Sequence, residues 1–113
     1  MLRICLAGIT GWAGSELAKG ICKTSDLTIA AGVSRNAAGK NITDVLNLSD
    51  TYDGKVFSCV EEALESANYD IFVEYTSPTI AKHNVLSALK KGLPVVVGTS
   101  GLNKEDYNEI DEW

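Results

Sequence analysis

The sequence predicts a doubly wound α/β fold, a parallel sheet with helices on both faces. Three observations carry that expectation. Short apolar runs alternate with segments of helical periodicity along the chain. The runs are rich in Val, Ile and Leu without polar alternation, as strands covered on both faces should be. A glycine-spaced turn joins the first run directly to the first helical segment.

Taken in order, Leu2 to Ala7 is a buried strand ended by Gly8. Ser15 to Lys23 is a helix, with Leu17, Ala18, Ile21 and Cys22 on one face. Leu27 to Val33 is the second strand, with Gly32 inside it. Asn36 to Asp53 is irregular apart from a short helix around Ile42 to Leu46. Lys55 to Phe57 is a brief third strand. Ser58-Cys59-Val60-Glu61 reads as a capping box, with Ser58 as N-cap and Glu61 reaching back, opening a helix to about Ala67. Asp70 to Tyr75 is the fourth strand. Pro78 suits the first position of the next helix, where its missing N–H costs nothing. That helix runs from Thr79 to Lys91, with Gly92 as its C-cap. Pro94 to Val97 is the fifth strand, bounded by Gly98. From Asn103 to Trp113, Tyr107 and Ile110 stand at helical spacing. Parallel strands joined in this way require right-handed crossovers.

The chain has 113 residues, the size of one domain. With 45% hydrophobic and 22% charged residues it has an ordinary globular composition. The net charge of −5 comes without any basic stripe, which argues against nucleic acid as a partner. No apolar run is long enough to span a bilayer, and the N-terminus turns to glycine too early for a signal peptide, so no membrane association and a cytoplasmic location are expected. Cys5, Cys22 and Cys59 have no metal-ligand or C-x-x-C spacing and read as small core residues. The single histidine, His83, argues against a histidine-based metal site or catalytic dyad within the chain. It reads as a surface or packing residue with no visible partner, on a helix running away from the carboxyl edge of the sheet.

Chemistry is expected at that edge. Gly8-x-x-Gly11-x-x-Gly14 is a spacing variant of the Rossmann fingerprint. Gly8 permits the tight turn, Gly11 lets backbone approach a pyrophosphate, and Gly14 lets the helix lie close. The helix N-terminus then offers free N–H groups to the anion. The second strand ends in Val33-Ser34-Arg35-Asn36, with no acid to receive a ribose 2′-hydroxyl. Ser34 and Arg35 instead suit a 2′-phosphate, so NADP(H) is the expected cofactor and NAD(H) the second choice. Tyr75-Thr76-Ser77-Pro78 and Gly98-Thr99-Ser100-Gly101 bring hydroxyl residues and exposed backbone to the same edge.

The progression from Gly8-Ile9-Thr10-Gly11-Trp12-Ala13-Gly14 through Val73-Glu74-Tyr75-Thr76-Ser77-Pro78 and Asn84-Val85 to Val95-Val96-Val97-Gly98-Thr99-Ser100-Gly101 resembles dihydrodipicolinate reductase. The resemblance covers this chain end to end but only the N-terminal domain of that family. It implies NAD(P)H-dependent reduction of a cyclic unsaturated dicarboxylate in the lysine and diaminopimelate pathway. It also implies a homo-oligomer, assembled mainly through the C-terminal domain. Cofactor contacts carried over by position fall on Gly8, Ile9, Thr10, Gly11, Trp12 and Ala13, on Arg35, and on Gly98, Thr99 and Ser100, the last three bordering the nicotinamide ribose and substrate. Ser34 and Thr76 join this set from the reading of the loops. Glu74 departs from the family's usual Asp, and Trp12-Ala13 from its usual Arg-Met, which removes a phosphate contact.

Gly11 to Leu17 and Ser34 to Lys40 also look like N-acetyl-glutamyl-phosphate reductase, an NADP(H) enzyme with a catalytic cysteine beyond its dinucleotide domain. A stand-alone dinucleotide-binding module is a third reading. The first family's substrate-protonating segment, rich in His and Lys, has no counterpart here. No catalytic residue is therefore assigned, residues 1–113 are read as one dinucleotide-binding domain, and the chain is expected to be a fragment.

Overall fold

The computed structural model describes residues 2–48 and 52–98. Five strands, β1 (Leu2–Ala7), β2 (Leu27–Val33), β3 (Lys55–Phe57), β4 (Ile71–Glu74) and β5 (Val95–Val97), form one sheet in the order β3-β2-β1-β4-β5. Every pairing is parallel. This is the Rossmann order, in which winding reverses between β1 and β4 and leaves a crevice at their carboxyl ends.

The sheet buries both faces because adjacent side chains of each strand point opposite ways. Ile4 and Leu6 of β1 join Ile29 and Val56 under α1 (Trp12–Cys22) and α2 (Ile42–Val45), which contribute Ala18, Ile21 and Ile42. Cys5 and Ala7 face the other way with Ala31, Val33 and Phe72. There they meet Val60, Ala63 and Leu64 of α3 (Val60–Ser66) and Ala88 of α4 (Pro78–Lys90). The edge strand β5 is less covered, with Val96 54% exposed. Among the described residues no helix is long and apolar enough to cross a membrane.

The strands and the short α2 appear where the apolar pattern puts them, apart from one-residue trims at the ends of α2, β4 and β5. There Asp70 N–H still donates to the Arg3 carbonyl and Phe72 N–H to that of Pro94. Gly92 sits just beyond α4 with φ +79° and donates to the Leu89 carbonyl at 2.9 Å. Two helix starts differ from expectation. α1 begins at Trp12 rather than Ser15, because the glycine loop closes in a single turn and its first helical residues face outward, where apolar periodicity carries no signal. α3 begins at Val60 with Cys59 as N-cap and has no Ser58 capping box. The Ser34 N–H donates to the Phe57 carbonyl at 2.9 Å, extending the β2–β3 pairing, so the chain turns into the helix one residue late. The Ser58 hydroxyl then reaches Glu62 instead. A 3₁₀ turn at Arg35–Ala37 is unheralded in the sequence. The expected helix over Asn103–Trp113 lies outside the described residues.

Candidate functional site

The carboxyl ends of β1, β2 and β4 converge on a cleft of about 630 Å³. Its floor is the glycine loop. Gly8 has φ +87°, a left-handed conformation that only glycine adopts at no steric cost, and a Cβ there would lie 2.3 Å from the Tyr75 carbonyl oxygen. Gly14 carries α1 across the loop so closely that a Cβ would lie 2.1 Å from the Gly8 oxygen. Gly11 differs, since its Cβ would meet only that same oxygen, at 3.3 Å. The backbone at Gly11 is thus open toward the cleft.

Gly11 caps α1 without a side-chain hydrogen bond. Ser15 N–H donates to the Gly11 carbonyl at 2.8 Å, whereas the amides of Trp12, Ala13 and Gly14 have no acceptor among the described residues. Orphan N–H groups at the positive end of a helix dipole are an anion site. Ile9 is fully buried and packs behind the loop. Trp12, 86% exposed, stands beside it in solvent.

At the end of β2, the Ser34 hydroxyl meets the Thr10 hydroxyl at 2.8 Å, tying the glycine loop to the second strand. Arg35 is exposed on the cleft wall and forms no ion pair among the described residues. Across the cleft, Thr76 donates both its N–H, at 2.8 Å, and its hydroxyl to the fully buried carboxylate of Glu74. Gly98 N–H donates to the Glu74 carbonyl at 2.8 Å, and a Cβ on Gly98 would lie 2.1 Å from the Tyr75 ring. The structure therefore gathers Gly8, Gly11, Ser34, Arg35 and Thr76 around one cleft, with Thr10, Trp12, Ala13 and Gly98 adjoining. Thr99 and Ser100 lie outside the described residues.

His83 is exposed, as expected, but it has a partner. Its Nε2 pairs with Glu61 of α3, and both line the outer wall of the cleft with Val60 and Ile80. That hydrogen bond holds the Glu61 carboxyl below its usual range. Sequence spacing could not reveal the pair, because it is formed between two helices. Cys5, beneath the site, is buried, and desolvation with the nearby Glu74 charge pushes its thiol up to about 12. No cluster of His, Cys, Asp or Glu suited to a metal occurs among the described residues.

A family profile described as "Dihydrodipicolinate reductase, N-terminus" matches residues 2–113. The chain belongs to the dihydrodipicolinate reductase family. The 4-hydroxy-tetrahydrodipicolinate reductase of Syntrophomonas wolfei is 32% identical over 110 residues, covering 97% of this chain and 41% of that one. The enzyme of the same name from Listeria monocytogenes is 30% identical over 109 residues, covering 96% and 41%. This family member thus spans about 41% of the length of these relatives. In fold it is similar to a dipicolinate-bound dihydrodipicolinate reductase from Paenisporosarcina, with TM-score 0.79 and 21% identity over 97% of this chain and 42% of that one. It is also similar to a dehydrogenase from Chromobacterium violaceum, with TM-score 0.81 and 19% identity over 99% and 32%.

Proposed function

We propose that residues 1–113 are the dinucleotide-binding domain of a reductase that uses NAD(P)H, with NADP(H) preferred, on a dihydrodipicolinate-type cyclic dicarboxylate. The observation that carries the reading is the conjunction at the β1/β4 switch point. A close-packed glycine loop and an arginine with no ion pair among the described residues line one cleft, beside the start of a helix whose first three amides have no acceptor among those residues. The residues fit the group. The Gly11 backbone and the amides of Trp12 and Ala13 receive the pyrophosphate. Ser34, steadied by Thr10, and the planar fork of Arg35 receive the adenosine 2′-phosphate. Thr76 and Gly98, with Thr99 and Ser100, border the nicotinamide ribose. Bound reduced nicotinamide supplies the hydride; this chain's residues hold and orient it.

The named activity of the relatives supports the substrate class. The groups that orient and protonate the substrate are not among the residues assigned here, so the catalytic step is placed outside them, as is the interface of the homo-oligomer. The acyl-phosphate reductase reading loses support because the family profile spans the whole of 2–113. The test is to titrate the chain with NADPH and to assay reduction of the cyclic dicarboxylate. Saturable binding without turnover is expected. Turnover by these 113 residues would overturn the placement of catalysis, and absence of binding would overturn the cofactor reading.

A further inference from the structure

Glu74 is fully buried at the carboxyl end of β4, beside the cleft. One oxygen, Oε1, accepts both the N–H of Thr76 at 2.8 Å and the Thr76 hydroxyl. An ionised carboxylate oxygen has lone pairs and no hydrogen, so the hydroxyl donates its single hydrogen to it. The Ser77 carbonyl, 3.4 Å from the same hydroxyl, is the more distant competitor for that hydrogen. What remains of the Thr76 oxygen is lone pairs, and Thr76 lines the cleft.

We infer that Glu74 is a positioning residue that fixes the polarity of Thr76, so that Thr76 reads a hydrogen-bond donor on the ligand, a ribose hydroxyl or a carboxamide N–H, and disfavours a phosphate oxygen. The inference rests on the dinucleotide reading above and sharpens it. An oriented acceptor beside a buried carboxylate repels anionic oxygen, while the orphan amides of α1 attract it. The two ends of the cleft therefore have opposite preferences, which sets the direction in which a dinucleotide lies.

The i to i+2 carboxylate-to-amide contact resembles the turn that Asp makes with its own backbone. A shorter carboxylate should therefore keep the device, whereas loss of the carboxylate frees the hydroxyl. The test measures NADPH dissociation constants for the wild-type chain and for Glu74→Ala, Glu74→Asp, Thr76→Val and the Glu74→Ala/Thr76→Val double variant, with melting curves as a check on folding. The expected loss is about fivefold for Glu74→Ala and for Thr76→Val, the worth of one ordinary hydrogen bond. The double variant should lose no more than about tenfold, because both singles remove the same contact, and Glu74→Asp should recover most of the loss. Multiplying losses in the double variant, or unchanged binding in Thr76→Val, would overturn the inference and leave the dinucleotide reading standing. If Glu74→Ala does not fold, the Thr76→Val and Glu74→Asp comparison decides alone. Failure of the wild-type chain to bind NADPH overturns both.

Discussion

Replacing Gly14 by Ala tests whether the close approach of α1 to the glycine loop is obligatory. An added Cβ would stand 2.1 Å from the Gly8 oxygen and 3.0 Å from its carbonyl carbon, both backbone atoms that cannot rotate away. The Gly8 oxygen also accepts from Gly11 N–H at 3.0 Å, so relief by moving it strains the turn itself. Overpacking of this kind costs about 1–3 kcal/mol. A 2.1 Å approach to backbone belongs at the upper end of that range, and alanine recovers up to ~1 kcal/mol through helix propensity, leaving a net loss of about 2 kcal/mol. Gly20 supplies the control on the same helix: nothing lies within 4 Å of its Cβ position, so Gly20→Ala should stabilise by about 0.5–1 kcal/mol. Urea unfolding of the two variants should therefore show opposite signs. At roughly 4 °C per kcal/mol for a domain of this size, the melting temperatures should separate by roughly 10 °C. A Gly14→Ala variant as stable as Gly20→Ala would show that the approach of α1 to the loop is not obligatory.

Three further outcomes follow from single contacts. Cys5, with its thiol pushed up to about 12, should resist alkylation at pH 8 and label only as fast as the chain opens globally, read by mass spectrometry; native-state labelling faster than unfolding would contradict its burial. The Glu61 carboxyl is held low, so its pairing with His83 adds stability above the ordinary carboxylate pKa that is lost as pH falls through the lowered folded value. Both partners are largely exposed, so Glu61→Gln should cost at most about 0.5 kcal/mol near pH 6 and less as pH falls and the carboxylate is protonated; a loss independent of pH would exclude the pair as the cause. With Trp113 replaced by Phe, the emission of exposed Trp12 should change on NADPH binding, since it is the first residue of the helix whose amides face the pyrophosphate.

Much of the fold was legible because it depends on local pattern. Buried parallel strands need runs such as Leu27 to Val33, and strand-to-helix turns need glycines where backbones touch, as at Gly8 and Gly14. Gly14 was assigned to close helix packing by spacing alone, and the geometry gives that assignment a distance. What escaped depends on contacts between elements. The His83–Glu61 pair joins two helices, the Thr10–Ser34 bond joins residues 24 apart, and the grip of Glu74 on Thr76 depends on the carboxylate being fully buried. The capping box failed for a related reason, as β-pairing at Phe57 outweighed the local preference of Ser58. Trp12 carries no helix signal in the sequence because its side chain meets water.

A dinucleotide in the cleft at the β1/β4 switch point would set its 2′-phosphate on Ser34 and Arg35. The most direct test compares dissociation constants for NADPH and NADH in the wild-type chain and in Arg35→Ala. NADPH should bind more tightly than NADH in the wild type, and Arg35→Ala should lose about tenfold or more for NADPH with little change for NADH, the worth of a charge-assisted pair. NADH binding as tight as NADPH, or equal losses for both on removing Arg35, would contradict that placement.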